Sequence, residues 1–250
     1  MKNNILTIAG SDILSGGGFQ ADLATINTLG DFAFLAQSCL TSVDQLGFSI
    51  YPTPADIFTK QLNSLGHVDF STVKIGLLPT EEICKITKDF LLKGQYKHVV
   101  LDPVLIFKEN KDGQVVALRS QLIDLFPLAT IIMPNLREAE LLASMEIRDK
   151  EDMKNAALKL HQLGAKTVLI KGGSRFVKNQ AIDLFFDGSH FQFMERGLLD
   201  KNNNGAGCTF ATAIAVYLSQ GKTLRAAVEN AKDFVYQAIK NSNEYGVTVH

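Results

Sequence analysis

Hydrophobic positions along the chain switch between two periods. Short runs rich in β-branched and aromatic residues recur at 5–9, 34–40, 73–75, 98–101, 130–133 and 167–170, and each predicts a strand. Between most of them, apolar residues fall three and four apart. Over 80–93, Ile83, Ile86, Phe90 and Leu91 share a face, Thr80 stands where an N-cap is wanted, and Glu81 and Glu82 suit the positive end of a helix. Over 149–163, Met153, Ala156, Ala157, Leu160 and Leu163 make a second stripe, which Gly164 stops. Strands alternating with helices predict βαβ units and a mostly parallel sheet covered on both faces. Two features depart from the alternation. Residues 181–186 and 190–194 flank Asp187-Gly188 and read as a hairpin, and two consecutive helices follow at about 207–219 and 223–241. No repeat, low-complexity tract or linker interrupts the pattern, so a single α/β domain over 1–250 is expected.

Composition narrows the partners. With 46% hydrophobic and 20% charged residues and a net charge of −1, no basic field points to nucleic acid or an anionic membrane. Cys39, Cys84 and Cys208 are odd in number and widely spaced, which argues against a disulfide framework or a zinc site and for a reducing compartment. The apolar stretch 209–218 is about half a membrane span. The first ten residues read as a strand rather than a signal peptide. A soluble, cytoplasmic protein is expected.

In open α/β sheets ligands bind where strands end and helices begin, so those loops carry the chemistry. Four stand out. At 202–210, Asn-Asn-Asn-Gly-Ala-Gly-Cys-Thr-Phe precedes an Ala-rich helix. The small residues Gly205, Ala206 and Gly207 let backbone N–H groups approach an anion, and a thiol at that helix start, Cys208, is expected to have a lowered pKa. The plainer reading is a tight turn with a small core cysteine. At 10–22, three successive glycines, 16–18, demand close approach or positive φ, and Asp22 falls in the first turn of the following helix. A carboxylate there is equally explained by the helix dipole. At 133–138, Asn135 and Glu138 share a face and suit one cation or its waters, although the same pair makes a capping box. Lys171, followed by Gly172 and Gly173, ends a strand and can serve phosphate as a point charge, or merely be solvated. Gly221-Lys222-Thr223 is no P-loop: position 216 is valine and the segment joins two helices.

In this order, the loops resemble the ribokinase-like superfamily, specifically its hydroxymethylpyrimidine and pyridoxine kinase branch. The matching pieces are IAGSD and SGGGFQADL near the start, KIGLLP at 74–79, LDPV at 101–104, PNLREAELL at 134–142, IKGG at 170–173 and NGAGCTF at 204–210. The resemblance implies a three-layer α/β sandwich with a central, mostly parallel sheet of nine or ten strands, a small lid or hairpin, and commonly a homodimer. It also implies transfer of the γ-phosphoryl of ATP, with Mg2+, to a primary alcohol. By this likeness Gly205, Ala206 and Gly207 form the anion hole and Cys208 is the general base. Asn135, Glu138 and Lys171 serve ATP and its phosphates, Asp102 and Glu138 serve magnesium, and Gly10, Asp22, Val43 and Leu77 line the pocket of a small heterocycle.

Departures from the branch bear on the substrate. Val43 falls where hydroxymethylpyrimidine kinases usually carry a glutamine, and valine cannot hydrogen-bond an aminopyrimidine. A B6 vitamer (pyridoxine, pyridoxal or pyridoxamine) is the expected alcohol. The alternatives are a hydroxymethylpyrimidine or phosphomethylpyrimidine kinase of thiamin biosynthesis and a non-catalytic binding relative. Residues 106–113 read as a lid in which Phe107 replaces a cysteine, and Asn204 stands in place of the usual histidine before the anion hole.

Overall fold

The computed structural model describes residues 2–45, 47–105 and 112–249, with side chains from 118 onward in the last segment. It has ten strands and eight α-helices among these residues, arranged in two compact units: 1–102 with 201–250, and 103–200.

In the first unit, β1 (Asn4–Ala9) lies between β2 (Phe32–Gln37) and β5 (Thr72–Ile75), and β6 (His98–Leu101) flanks β5; every pairing is parallel. β1 is buried from Ile5 to Ala9, as a strand covered on both faces must be. Helix α1 (Gly18–Thr28) returns the chain from β1 to β2. Helices α2 (Ala55–Ser64) and α3 (Glu81–Lys93) belong to the same unit, and the Thr80 hydroxyl caps α3 by accepting from Ile83 N at 3.2 Å. Helix α7 (Ala206–Ser219) is apolar nearly all round and packs on α1, β5 and β6, as a helix with no polar face has to. Ile5, Ile26 and Val216 meet in its core contact, and α8 (Leu224–Lys240), capped by Thr223, covers α7 with a one-sided apolar stripe.

The second unit carries α4 (Asp112–Ile123), β7 (Ile131–Ile132), α5 (Leu136–Ala143), α6 (Lys150–Gln162), β8 (Val168–Lys171), β9 (Gln180–Phe186) and β10 (Phe191–Gly197). β7 and β8 are parallel; β9 runs antiparallel to both β8 and β10. The expected hairpin is present, with Gly188 at φ 98° and the Asp187 carboxylate accepting from Ser189 N and His190 N.

The α/β class and the mostly parallel strands are as the periodicity predicts. One expectation is corrected. Residues 34–40 are not one strand, because the pairing with β1 ends at Ser38: its N–H makes the last bond, to Ala9 O, and its hydroxyl donates to Leu77 O. Beyond it, β3 (Cys39–Asp44) and β4 (Gly47–Pro52) form a separate two-stranded antiparallel ribbon. The lid expected at 106–113, Phe107 included, lies outside the described residues except for its last two, which open α4.

Candidate active site

The glycine-rich loop after β1 is tied down by Asp12. One carboxylate oxygen accepts from Leu14 N at 3.0 Å, the other from Gly17 N at 2.7 Å, and Gln20 brackets the Asp12 backbone from both sides. Two of the three glycines have a cause of their own. Gly18 sits at φ 60°, a left-handed conformation, where a Cβ would strike the 10–12 backbone. A Cβ on Gly16 would collide with the Asn204 side chain and Tyr245 O, so the turn before α7 rests on the loop there, while one on Gly17 would only touch Gly205 Cα at 3.6 Å and Cys208 Sγ at 3.8 Å.

That turn is held by Gly205 at φ 80°, where a Cβ would strike Gly16 O. The first N–H groups of a helix have no intrahelical acceptor. Ala206 N donates to Asn203 O and Thr209 N to Gly205 O, which leaves Gly207 and Cys208 as the donors between them. Of the three residues expected to line an anion hole, Ala206 thus has its N–H engaged. The donor pair runs one residue further along, and it points from a 14-residue helix whose dipole favours an anion there.

Cys208 is half-buried, and its thiol departs from expectation. Burial pushes its pKa up to about 11; Lys74 pulls it down, Asp22 and Asp102 push it up, and the Gly18 N–H bond lowers it. The helix start does not win, because the sulfur is withdrawn from water beside two carboxylates.

Asp22 is also corrected. It lies a turn inside α1, is fully buried, and presents no surface to a pocket. Its carboxylate accepts from Thr7 Oγ1 at 2.6 Å, Thr212 Oγ1 at 2.7 Å and Lys74 Nζ at 2.8 and 2.7 Å. Lys74, on β5, is equally buried. Burial alone would lower its pKa, but Asp22 beside it, with Cys208 and Asp102 near, carries it above the ordinary lysine value. Sequence reasoning passed over Lys74, although a lysine inside the fully buried strand Thr-Val-Lys-Ile requires an anionic partner.

The remaining pocket residues fall in two places. Gly10 and Leu77 are together: a Cβ on Gly10 would lie 3.2 Å from Leu77 Cδ2 and would strike Cys39 Sγ. Val43 lies on β3, 48% exposed, on the same strand face as Thr41, which binds the Ser11 hydroxyl and carbonyl and Ile13 N. Asp102 follows β6, is 2% exposed, and donates its N–H to Ile75 O.

In the second unit, Asn135 and Glu138 form a full capping box on α5: Asn135 Oδ1 accepts from Glu138 N at 2.9 Å and Glu138 Oε2 from Asn135 N at 2.8 Å. Lys171 joins them, since Asn135 and Lys171 pair as neighbours and Lys171 N donates to Pro134 O. Gly172 is required there because a Cβ would strike Ile182 O. Among the described residues no group of three or more His, Cys, Asp or Glu side chains gathers to hold a metal. Magnesium does not need one: it keeps waters and takes one or two carboxylates plus phosphate oxygens. No helix among the described residues is long and apolar enough to cross a membrane.

These loops are the ones through which the sequence resembles ribokinase-like kinases, and comparison with known proteins bears the class out. The chain matches the phosphomethylpyrimidine kinase family over residues 12–250 and belongs to it. It is 36% identical over 259 residues to the pyridoxine kinase of Bacillus subtilis, covering 98% of this chain and 94% of that one. It is 38% identical over 252 residues to the thiamine biosynthesis bifunctional protein ThiED of Geobacter sulfurreducens, covering 98% of this chain but only 51% of that longer protein. The structure of pyridoxal kinase from Staphylococcus aureus in complex with AMP-PCP and pyridoxal superposes with a TM-score of 0.91 at 35% identity, covering 100% of this chain and 93% of that one.

Proposed function

We propose that this chain is a single kinase domain that transfers the γ-phosphoryl of MgATP to the hydroxymethyl group of a B6 vitamer. The observation that carries the choice of vitamer is Val43: it is exposed on β3, on the strand face that Thr41 ties to the loop after Gly10, and has nothing with which to hydrogen-bond an aminopyrimidine. Gly10 and Leu77 would supply further apolar wall. Asp22 acts from beneath, through Lys74, rather than by touching the ring.

Phosphoryl transfer asks for positioning and charge neutralisation more than for covalent chemistry. The turn at 205–207 would take the phosphate through the Gly207 and Cys208 amides, with Gly205 and Ala206 shaping it. Lys171 and Asn135 would meet the ATP phosphates. Asp102 and Glu138 would hold magnesium, which neutralises phosphate charge when bound. Cys208 would accept the alcohol proton. Because its thiol is held protonated in this state, that role requires the filled site to bring its pKa down toward neutrality. By the resemblance, the proposal extends to a cytoplasmic homodimer.

A second reading, a hydroxymethylpyrimidine or phosphomethylpyrimidine kinase, is favoured by the family match and by the likeness to ThiED. Steady-state assays run side by side with pyridoxine, pyridoxal, hydroxymethylpyrimidine and its monophosphate separate the two. The highest kcat/KM is expected with a B6 vitamer, and a preference for either pyrimidine would reverse the order. Tight vitamer binding without ATP turnover would make the chain a binding relative.

A further inference from the structure

The turn that precedes α7 is held by more than its own helix. Besides the bonds of Ala206 N and Thr209 N, others run to residues 243–247, about forty positions later in the chain. Asn202 Nδ2 donates to Asn243 O at 3.1 Å and Glu244 O at 2.9 Å, while its Oδ1 accepts from Asn204 N at 3.0 Å. Asn204 Nδ2 donates to Tyr245 O at 3.0 Å, and Asn204 O accepts from Val247 N at 3.0 Å. The later segment is shaped before it reaches the turn. Asn243 N donates to Gly246 O, the Asn243 side chain accepts from Tyr245 N and Gly246 N, and Thr248 N donates back to Ala238 O in α8.

Three glycines close the junction. Gly16, Gly205 and Gly246 come from segments far apart in sequence; a side chain on Gly205 or on Gly246 would strike Gly16, and one on Gly16 would strike Asn204 and Tyr245. A Cβ on Gly246 would lie 2.7 Å from Gly16 Cα and 2.9 Å from Asn204 O, while one on Gly16 would lie 2.5 Å from Tyr245 O. Gly246 is buried, and the hydrogen bonds of Asn202 and Asn204 are the links between the turn and this segment.

We infer that residues 243–247 are a strap that sets the phosphate-binding turn, with Asn204 as its positioning residue. The part of Asn204 is to fix the backbone from which the Gly207 and Cys208 N–H groups project. A helix start serves a transferring phosphate only if its donors are placed before the phosphate arrives, and a misplacement of about 1 Å can cost on the order of 10²-fold in rate. The inference rests on the kinase reading and adds to it a determinant of nucleotide handling.

Two variants test it. Asn204→Asp keeps shape but turns the Nδ2 donor into an oxygen facing the Tyr245 carbonyl. Gly246→Ala pushes on Gly16 and Asn204 without changing any polar group. For each, kcat, KM for MgATP, affinity for MgAMP-PCP and for pyridoxal by titration, and Tm are measured against wild type. Both variants are expected to lose about tenfold or more in kcat/KM for MgATP and in AMP-PCP affinity, with pyridoxal affinity within about twofold; Tm should be nearly unchanged in Asn204→Asp and several degrees lower in Gly246→Ala, whose methyl meets backbone. Wild-type nucleotide kinetics and affinity in both folded variants would overturn the inference. So would parallel losses of nucleotide and pyridoxal binding that track a fall in Tm. A wild type that binds AMP-PCP but transfers no phosphate defeats the kinase reading instead, and the strap is then judged on the variants' AMP-PCP affinity alone.

Discussion

Replacing Lys74 by methionine should be among the most damaging single substitutions in the first unit. Lys74 and Asp22 are both 0% exposed, and the ammonium supplies two of the four hydrogen bonds on the Asp22 carboxylate. Without it, two threonine hydroxyls remain to hold a full negative charge in the core. Breaking a buried pair by removing one partner costs about 3–5 kcal/mol, because the other charge is left without compensation. For a chain of this size about 1 kcal/mol corresponds to roughly 2–4 °C in Tm, so a fall of roughly 6–20 °C is expected. Asp22→Leu should cost a similar amount by stranding the lysine. The double variant, Lys74→Met with Asp22→Leu, should recover most of the loss, since a buried pair replaced by apolar side chains is often neutral or better by about 1–4 kcal/mol. Thermal melts followed by far-UV circular dichroism on all four proteins close the cycle. A Lys74→Met variant melting within about 2 °C of wild type would refute the reasoning, as would a double variant that simply sums the two losses.

Cys208→Ala should lower kcat by about 10²-fold or more with Tm little changed, the size expected for a lost general base; an unchanged kcat would remove the thiol from proton transfer. Alkylation of Cys208, followed by peptide mass spectrometry across pH, should have its midpoint near 11, because the thiol withdrawn from water stays protonated through neutrality; a midpoint below the ordinary thiol value of about 8.5 would show that the helix start dominates after all. Asn135→Ala should cost about 1 kcal/mol by removing half of the α5 capping box, and should raise KM for MgATP if Asn135 also meets phosphate; a change in Tm alone would leave it a cap.

Local rules made much of the fold legible. The Thr80 cap, the Asp187-Gly188 hairpin and the Ala-rich helix after Gly205 follow from short-range chemistry, and the structure has them all. The β3–β4 ribbon was missed because the long apolar run ending at Leu40 hides the departure of Ser38, although Thr41, Val43 and Gly47 at φ 118° carry hairpin signals. At the site, the sequence supplies residue types but not burial. It places Asp22 near the phosphate loop yet cannot tell a pocket wall from the partner of a buried lysine 52 residues away. It likewise cannot show that Asn204 answers to Tyr245, since that contact joins segments about forty residues apart. The thiol pKa is raised first by burial, with Lys74 drawing it down and Asp22 and Asp102 pushing it up, and these come together only on folding, beyond the reach of the helix dipole alone.

The most direct test is the response of backbone amide resonances when MgAMP-PCP is titrated into the deuterated, 15N-labelled protein. If the start of α7 receives the phosphate, the Gly207 and Cys208 amides should shift strongly and saturate together, with the Gly16–Gly18 amides following. Saturation of the protein by nucleotide with those two amides unmoved would contradict the account.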